Sequence, residues 1–236
     1  MMNDLSERID TLVQWIAQAK YLVVFTGAGI STDSGLPDFR GPDGLWTRKA
    51  KGLPPPTGVD WTEVEPNQAH LAIVELQNMG VLKFLISQNV DNLHLKSGIK
   101  PELIAEFHGN IAKLRCTSCT NQIDSFPDLM DANCPICEKG RLVSSIVNFG
   151  DPIPFKVYED SARHSRLSDC FIVAGSSLVV QPAAEMPEIA HKAGAKLVII
   201  NRGETPLVNI CQLRFWESTG EVLPEAVNRL KEALNA

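Results

Sequence analysis

No run in the chain reaches the about 18 consecutive apolar residues that a bilayer-spanning helix needs, which excludes a transmembrane segment of that kind. The N-terminus has no apolar core of the sort a signal peptide carries, since Glu7, Arg8 and Asp10 interrupt it; the expectation is an intracellular protein, cytoplasmic or, in a eukaryote, nuclear. Basic charge is not in excess either. The 22 lysines and arginines are outnumbered by 28 acidic residues, for a formal net charge of −6. That leaves no general nucleic-acid footprint, and a mildly acidic surface suits basic partners such as lysine-rich peptides. Cysteine is sparse outside two pairs: of six, only Cys170 and Cys211 stand alone, which argues against a secreted disulfide framework. What is present, 44% apolar and 21% charged over 236 residues, describes a globular chain with one good core and room for a small second lobe.

The rest of the chain is organised around residues 22–42. The apolar, β-branched run Leu22-Val23-Val24-Phe25-Thr26 breaks into Gly27-Ala28-Gly29, which reads as a buried strand delivering a tight turn whose bare backbone can approach a phosphate. The third glycine of the dinucleotide fingerprint is displaced to Gly35, and Asp38-Phe39-Arg40 follows where a plain helix would run. Taken alone, this stretch fits a bare strand-to-helix turn as well as a nucleotide site.

Other elements follow from periodicity. Leu5, Ile9, Leu12, Val13 and Ile16 recur at helical spacing over residues 4–19. The Gly41 to Gly58 connection, with three consecutive prolines, reads as irregular and lid-like, and Trp46 within it either anchors the loop or meets a ligand. Pro66 opens a helix that Gly80 closes, with His70 as a packing residue. A strand over residues 81–86 ends in Ser87-Gln88-Asn89-Val90-Asp91-Asn92, and another short apolar run, residues 103–107, ends in His108-Gly109-Asn110. Strands over 170–174 and 196–200 end in Gly175-Ser176-Ser177 and Asn201-Arg202, with helices over 155–166 and 183–193; residues 211–216 form an edge strand and 221–234 a closing helix. This alternation predicts an α/β fold with a Rossmann-like, doubly wound parallel sheet, and ligands of such sheets bind at the carboxyl ends of the strands. His108 there could act as a general base near neutral pH. Cys116-x2-Cys119 and Cys134-x2-Cys137 are separated by fourteen residues, near the spacing of a four-cysteine zinc ribbon, two disulfides being the alternative. A zinc ion with four protein thiolates has no open position, so its role would be structural.

In this order, Gly27-Ala28-Gly29-Ile30-Ser31, Pro37-Asp38-Phe39-Arg40, Gln88-Asn89-Val90-Asp91, His108-Gly109-Asn110, the cysteine pairs, Phe149-Gly150, Gly175-Ser176-Ser177-Leu178 and Asn201 resemble the sirtuin family of NAD-dependent protein deacylases. Gly41-Pro42-x-Gly44-x-Trp46 resembles the branch that includes certain nuclear sirtuins of animals. The resemblance implies a Rossmann-like NAD domain from residues 1–40, 81–110 and 143–236, with a small zinc-binding domain inserted. The smaller domain would take a loop and helical part from 41–80 and a zinc-ribbon part from 111–142. Ala28, Gly29, Ile30, Thr32, Asp38, Phe39, Arg40, Trp46, Gln88, Asn89, Asp91, Gly175, Ser176, Ser177, Asn201 and Arg202 would bind NAD, with His108 and Asn89 catalytic. An acyl-lysine peptide would add as a strand between Val147-Asn148-Phe149-Gly150 and Leu178-Val179.

The family's chemistry, as the resemblance implies it, begins when the bond to nicotinamide breaks and the acyl oxygen of lysine attacks the sugar. His108 then takes a proton from a ribose hydroxyl so that the hydroxyl attacks the bound imidate, and water completes the release of lysine and an acylated ADP-ribose. Two rival functions stay open: mono-ADP-ribosyl transfer to protein, and a non-catalytic module that senses NAD or ADP-ribose. Asn92 stands where the family commonly has glycine, and asparagine tolerates the left-handed backbone such a turn needs. No Tyr-x-x-Arg pair occurs in residues 45–60, which disfavours acidic acyl groups.

Overall fold

The computed structural model describes residues 4–56, 59–61 and 63–235; Thr57 and Gly58, the end of the proline-rich connection, lie outside them. In chain order the elements are α1 (Leu5–Gln18), β1 (Leu22–Thr26), α2 (Leu45–Ala50), α3 (Gln68–Asn78), β2 (Leu82–Ser87), α4 (Leu93–Ser97), β3 (Ile104–Glu106) and β4 (Lys113–Cys116). They continue with β5 (Gln122–Asp124), β6 (Leu142–Ser144), α5 (Phe155–Leu167), β7 (Cys170–Ala174), α6 (Glu185–Lys192), β8 (Lys196–Ile200), β9 (Leu213–Phe215) and α7 (Thr219–Asn235).

Six strands pair in parallel in the order β3-β2-β1-β7-β8-β9. With the inserted strands left out of the count, this is the strand order of a doubly wound dinucleotide fold. Successive side chains of a strand point to opposite faces, and β1 uses both. Leu22 and Val24 pack with Leu12, Ile73 and Val227 from α1, α3 and α7, while Val23 and Phe25 pack with Ala162 and Met186 from α5 and α6. Each fully buried aliphatic side chain in these two layers stabilises by about 1.5–3 kcal/mol, enough to hold the strand ends rigidly. The smaller sheet, β5-β4-β6, is antiparallel, and its buried core is Leu114, Cys116, Cys134 and Leu142.

Local chemistry moves several boundaries. Residues 45–50 form α2 although the surrounding connection reads as irregular, because the glycines and prolines sit at its two ends and none within it. The Asp38 carbonyl accepts the Leu45 N–H at 2.9 Å and so ties the start of α2 to the glycine-rich segment. In α3 the cap is Asn67, whose side chain accepts the Ala69 N–H at 2.9 Å, so Pro66 stands outside the helix it was expected to open. Ala69, Ala72, Ile73 and Leu76 of this helix belong to the core of the large sheet, although the resemblance implies that residues 41–80 are the loop and helical part of the smaller domain. Its apolar face is buried against that sheet and α7, and no such surface is offered by the small sheet. The last helix starts at Thr219, ahead of residue 221, because Ser218 Oγ accepts the Glu221 N–H at 3.1 Å and caps an earlier turn.

Candidate active site

The strand order reverses between β1 and β7, and their carboxyl ends open the crevice where such sheets take ligands. Here the chain after β1 and the chain after β7 touch backbone to backbone. The Gly29 N–H donates to the Gly175 carbonyl at 2.8 Å. A Cβ on Gly29 would stand 2.8 Å from that oxygen and 2.9 Å from the Gly175 Cα, and one on Gly175, whose φ is +70°, would stand 2.3 Å from the Ile30 nitrogen. Neither atom can yield without parting the two turns. Gly29→Ala is therefore expected to lower stability by about 1–3 kcal/mol and to weaken dinucleotide binding at least about tenfold; thermal melts with and without NAD measure both.

The crevice widens into a cleft of about 1160 Å³. Ala28, Gly29, Thr32, Asp38, Phe39 and Arg40 line it from the first turn, and Gln88, Asn89 and Asp91 from the end of β2. His108, the segment Val147-Asn148-Phe149-Gly150 and Val179 also line it, as do Gly175, Ser176, Ser177, Asn201 and Arg202. The polar floor is tightly connected. Ser31 Oγ donates to Asp91 Oδ2 at 2.6 Å and accepts from Asn89 Nδ2 at 3.1 Å; Asp91 Oδ1 accepts the Leu93 N–H at 3.0 Å. Burial raises the Asp91 carboxyl above its ordinary value, against those two bonds. Gln88 Nε2 donates to Ser176 Oγ at 2.6 Å, joining the two sides of the crevice.

His108 Nδ1 lies 3.0 Å from the Gln88 carbonyl, which can only accept, so Nδ1 carries the proton. That leaves Nε2 with its lone pair. Burial lowers the His108 pKa while the Gln88 bond opposes the shift, and the ring is neutral at pH 7. A neutral imidazole with one nitrogen fixed and the other free is a general base in its working form.

Beneath this floor His70 and His94 pack edge to face, with ring centroids 4.9 Å apart. Both are fully or almost fully buried, and Thr26 Oγ1 lies 2.9 Å from His94 Nε2. Desolvation lowers His70 to about 4 and holds His94 well below 6.5. The unfolded chain binds protons at these residues below pH 6.5 and the folded chain does not, so stability is full above 6.5 and falls with pH towards 4. Each histidine is expected to remove up to about 1.4 kcal/mol per pH unit in that window, a slope that urea melts at pH 7, 6 and 5 measure and that His70→Gln should reduce.

In the smaller lobe the four sulfurs of Cys116, Cys119, Cys134 and Cys137 lie within 4.8 Å of one another. The pairs Cys116–Cys137 and Cys119–Cys134 are 3.6 and 3.8 Å apart. Zinc–sulfur bonds of about 2.3 Å in a tetrahedron give a sulfur–sulfur edge of roughly 3.8 Å, and disulfide bonds are far shorter. Backbone N–H groups of Ser118 and Ile136 donate to Cys116 and Cys134 sulfur. Those of Lys139 and Gly140 pull the Cys137 thiol down to about 6, while against the Asn121 N–H, burial and the neighbouring Cys116 and Cys137 sulfurs push the metal-free Cys119 thiol up to about 11. A thiolate cage is the state zinc requires. A Cβ on Gly140 would stand 2.4 Å from Cys116 sulfur, so glycine is needed for the second knuckle to close.

Residues 27–59 and 57–182 match the Sir2 family, the sirtuins. An "NAD-dependent protein deacylase 1" of Archaeoglobus fulgidus is 39% identical over 96% of this chain and 99% of its own. The chain belongs to the Sir2 family. An "NAD-dependent protein deacylase" of Thermococcus kodakarensis is 37% identical over 93% of this chain and 94% of its own. Among solved structures, a Sir2 homolog–NAD complex superposes with a TM-score of 0.76 at 36% identity, covering 99% of this chain and 96% of that one. A Sir2–p53 peptide–NAD+ complex does so with a TM-score of 0.75 at 31% identity, covering 97% and 99%.

Three residues that the sirtuin resemblance names for contacts lie off the lining of this Sir2 cleft. Ile30 is fully buried in the core beneath the first turn, because the 3-10 turn over Ala28–Ser34 rotates it towards α3. Leu178, at φ +55°, is turned into the α5–α6 side of the core. Trp46 sits outside the cleft wall, stacked on Phe39 at 6.4 Å between centroids and edge-on to Phe149 at 6.1 Å, so it braces two lining residues. The sequence reasoning also missed lining residues of this Sir2 chain: Glu217, Ser218 and Thr219 enter at the start of α7. Thr219 Oγ1 is buried there without a hydrogen-bond partner. The Ser-Thr pair two residues ahead of an amphipathic helix was the available clue, since such residues mark a helix start.

Proposed function

We propose that this Sir2 protein is an NAD-dependent protein lysine deacylase whose products are nicotinamide, O-acyl-ADP-ribose and free lysine. The observation that carries the proposal is His108: its Nδ1 proton is committed to the Gln88 carbonyl, and its free Nε2 is available at the cleft. The close-packed Gly27, Gly29 and Gly175 backbones, where added Cβ atoms would clash, and the partnerless Thr219 hydroxyl fit a dinucleotide that needs bare amides and a polar end.

When bound, NAD supplies a glycosidic bond whose cleavage frees nicotinamide and leaves a sugar carbon able to take the acyl group. Ala28, Gly29, Thr32, Asp38, Phe39 and Arg40 would hold the phosphates and adjoining sugar, and Gly175, Ser176, Ser177, Asn201 and Arg202 the adenosine half. Gln88, Asn89 and Asp91 would hold the nicotinamide side, where the Asp91 carboxylate, fixed by Ser31, gives the leaving ring a hydrogen-bond acceptor. His108 Nε2 takes the proton of a ribose hydroxyl. The cysteine cage would hold a structural zinc ion.

The acylated protein would lie across Val147, Asn148, Phe149, Gly150 and Val179 as an added strand, bound chiefly through its backbone. Phe149 is 73% exposed beside Trp46, an apolar rim such a peptide would cover. The Gly41-Pro42-x-Gly44-x-Trp46 run is what supports our reading that the chain sits with the branch that includes certain nuclear sirtuins of animals. The acidic balance suits a protein rather than a nucleic-acid partner, inside the cell.

A panel of acetyl- and longer acyl-lysine peptides incubated with NAD and read by mass spectrometry tests the proposal. The expected result is free lysine with an equal amount of acyl-ADP-ribose. ADP-ribose transferred to the protein, with no lysine freed, would instead identify a mono-ADP-ribosyltransferase.

A further inference from the structure

Asn92 occupies the cap position of α4 with φ 66° and ψ 2°, yet its side chain makes no bond to that helix. Asp91 Oδ1 takes the Leu93 N–H instead, and Asn92 Oδ1 accepts from Asn110 Nδ2 at 2.8 Å. Asn110 is fully buried. Its second Nδ2 proton goes to Glu106 Oε1, its Oδ1 accepts the Ala112 N–H at 2.7 Å, and its N–H donates to Ser145 Oγ at 3.0 Å. Two further bonds join the same pair of loops: His108 Nδ1 to the Gln88 carbonyl at 3.0 Å and the Ile111 N–H to the Val90 carbonyl at 2.8 Å. Residues 88, 90 and 92 are thus tied in turn to 108, 111 and 110.

We propose that Asn110, gripped between Asn92 and Glu106, is a positioning residue that holds the turn carrying His108 in register with the loop carrying Asp91. The Asn92 side chain, where the family commonly has glycine, adds the outermost of the three ties in this chain. This inference rests on the deacylase reading for its consequence in turnover, and on geometry alone for its consequence in the free protein. Glu106 is a half-buried carboxyl whose pKa burial raises to about 7, with Asn110 and Lys113 opposing the rise and Asp91 adding to it. Lys113 and Asp91 are the charges that face it. Its charged form makes the stronger acceptor for Asn110, so the grip tightens as pH rises through that value.

The decisive variant is Asn92→Gly, since glycine keeps φ 66° without strain and removes only the acceptor. In the ligand-free protein, hydrogen exchange at the Ile111 amide is expected to quicken about fivefold or more while amides of β1 stay unchanged. With NAD and acyl-peptide, kcat for acyl-ADP-ribose formation should fall about five- to tenfold, with KM for NAD and exchange of labelled nicotinamide into NAD altered less than about twofold. Glu106→Ala should lose a similar factor that Glu106→Gln largely recovers, because the amide oxygen still accepts from Asn110. Glu106→Gln should also move the acid limb of kcat down by about half a pH unit. Unchanged Ile111 exchange in Asn92→Gly overturns the inference, as does an equal fall in nicotinamide exchange and product formation. If the wild-type protein frees no lysine, the deacylase reading falls, and the exchange measurement on the ligand-free protein still decides the network.

Discussion

His108→Ala retains NAD binding within a few-fold and loses acyl-lysine turnover by about a hundred- to ten-thousand-fold, the usual range for removing a positioned general base. In activation energy that is roughly 2.7–5.5 kcal/mol. Binding is spared because the turns that would cradle the dinucleotide, after β1 and β7, hold each other through Gly29 and Gly175 and do not lean on the imidazole. Turnover is lost because, among the described residues lining the cleft, no other group pairs a free acceptor nitrogen with a fixed tautomer. The pH profile carries the same information. Burial keeps the His108 pKa below 6.5, so its base form persists at neutral pH and is lost only as pH falls past that lowered value. Calorimetric titration of NAD and steady-state turnover between pH 5.5 and 8.5 measure both expectations. A variant that keeps more than half of the wild-type rate removes His108 from the role.

Stripping zinc from the cysteine cage, or Cys134→Ser, is expected to unfold residues 113–144 and abolish deacylation while the large sheet stays folded. Structural zinc sites supply about 10–16 kcal/mol of apparent binding energy to the domains they hold. The small lobe has little else: among its described residues the buried core is Leu114, Cys116, Cys134 and Leu142, two of them cage cysteines, with Ile123, Leu129 and Ala132 only partly buried against it. The large sheet has its own two apolar layers, and neither includes a residue of this lobe. Activity follows the lobe because β6 leads directly into Ser145, whose hydroxyl donates to the Asn110 carbonyl at 2.8 Å, and then into the cleft segment from Val147 to Gly150. Metal analysis gives the expected content of one zinc per chain, and hydrogen exchange should show loss confined to β4, β5 and β6. Full turnover by the zinc-free protein would sink this account.

Much of the frame was legible because burial on both faces leaves a plain trace. β7 and β8 fall on residues 170–174 and 196–200 as their apolar runs predict, each delivering a glycine or polar cluster to the sheet's end. Less legible were the places where side-chain chemistry overrides composition. Six helical residues lie within a proline-rich connection, Asn67 displaces Pro66 as a cap, and Ser218 draws α7 forward. The cleft contributions of Glu217, Ser218 and Thr219 were announced only by a helix-start signal, which says nothing of a ligand, because they reach the site through the packing of α7 beside the first turn.

By itself the sequence determined the doubly wound class, the thiolate knuckles and the polar clusters at four strand ends, since each depends on short-range periodicity or spacing. Only the tertiary structure decided which members of those clusters face one another. Ile30 and Leu178 sit inside glycine-rich motifs and yet turn into the core, a matter of backbone rotation that one-dimensional spacing does not record. The tautomer of His108 likewise depends on a carbonyl twenty residues earlier, and the use of Asn92 on an amide eighteen residues later. Hydrogen bonds between distant loops act over a few ångströms, and it takes the fold to bring those loops within reach.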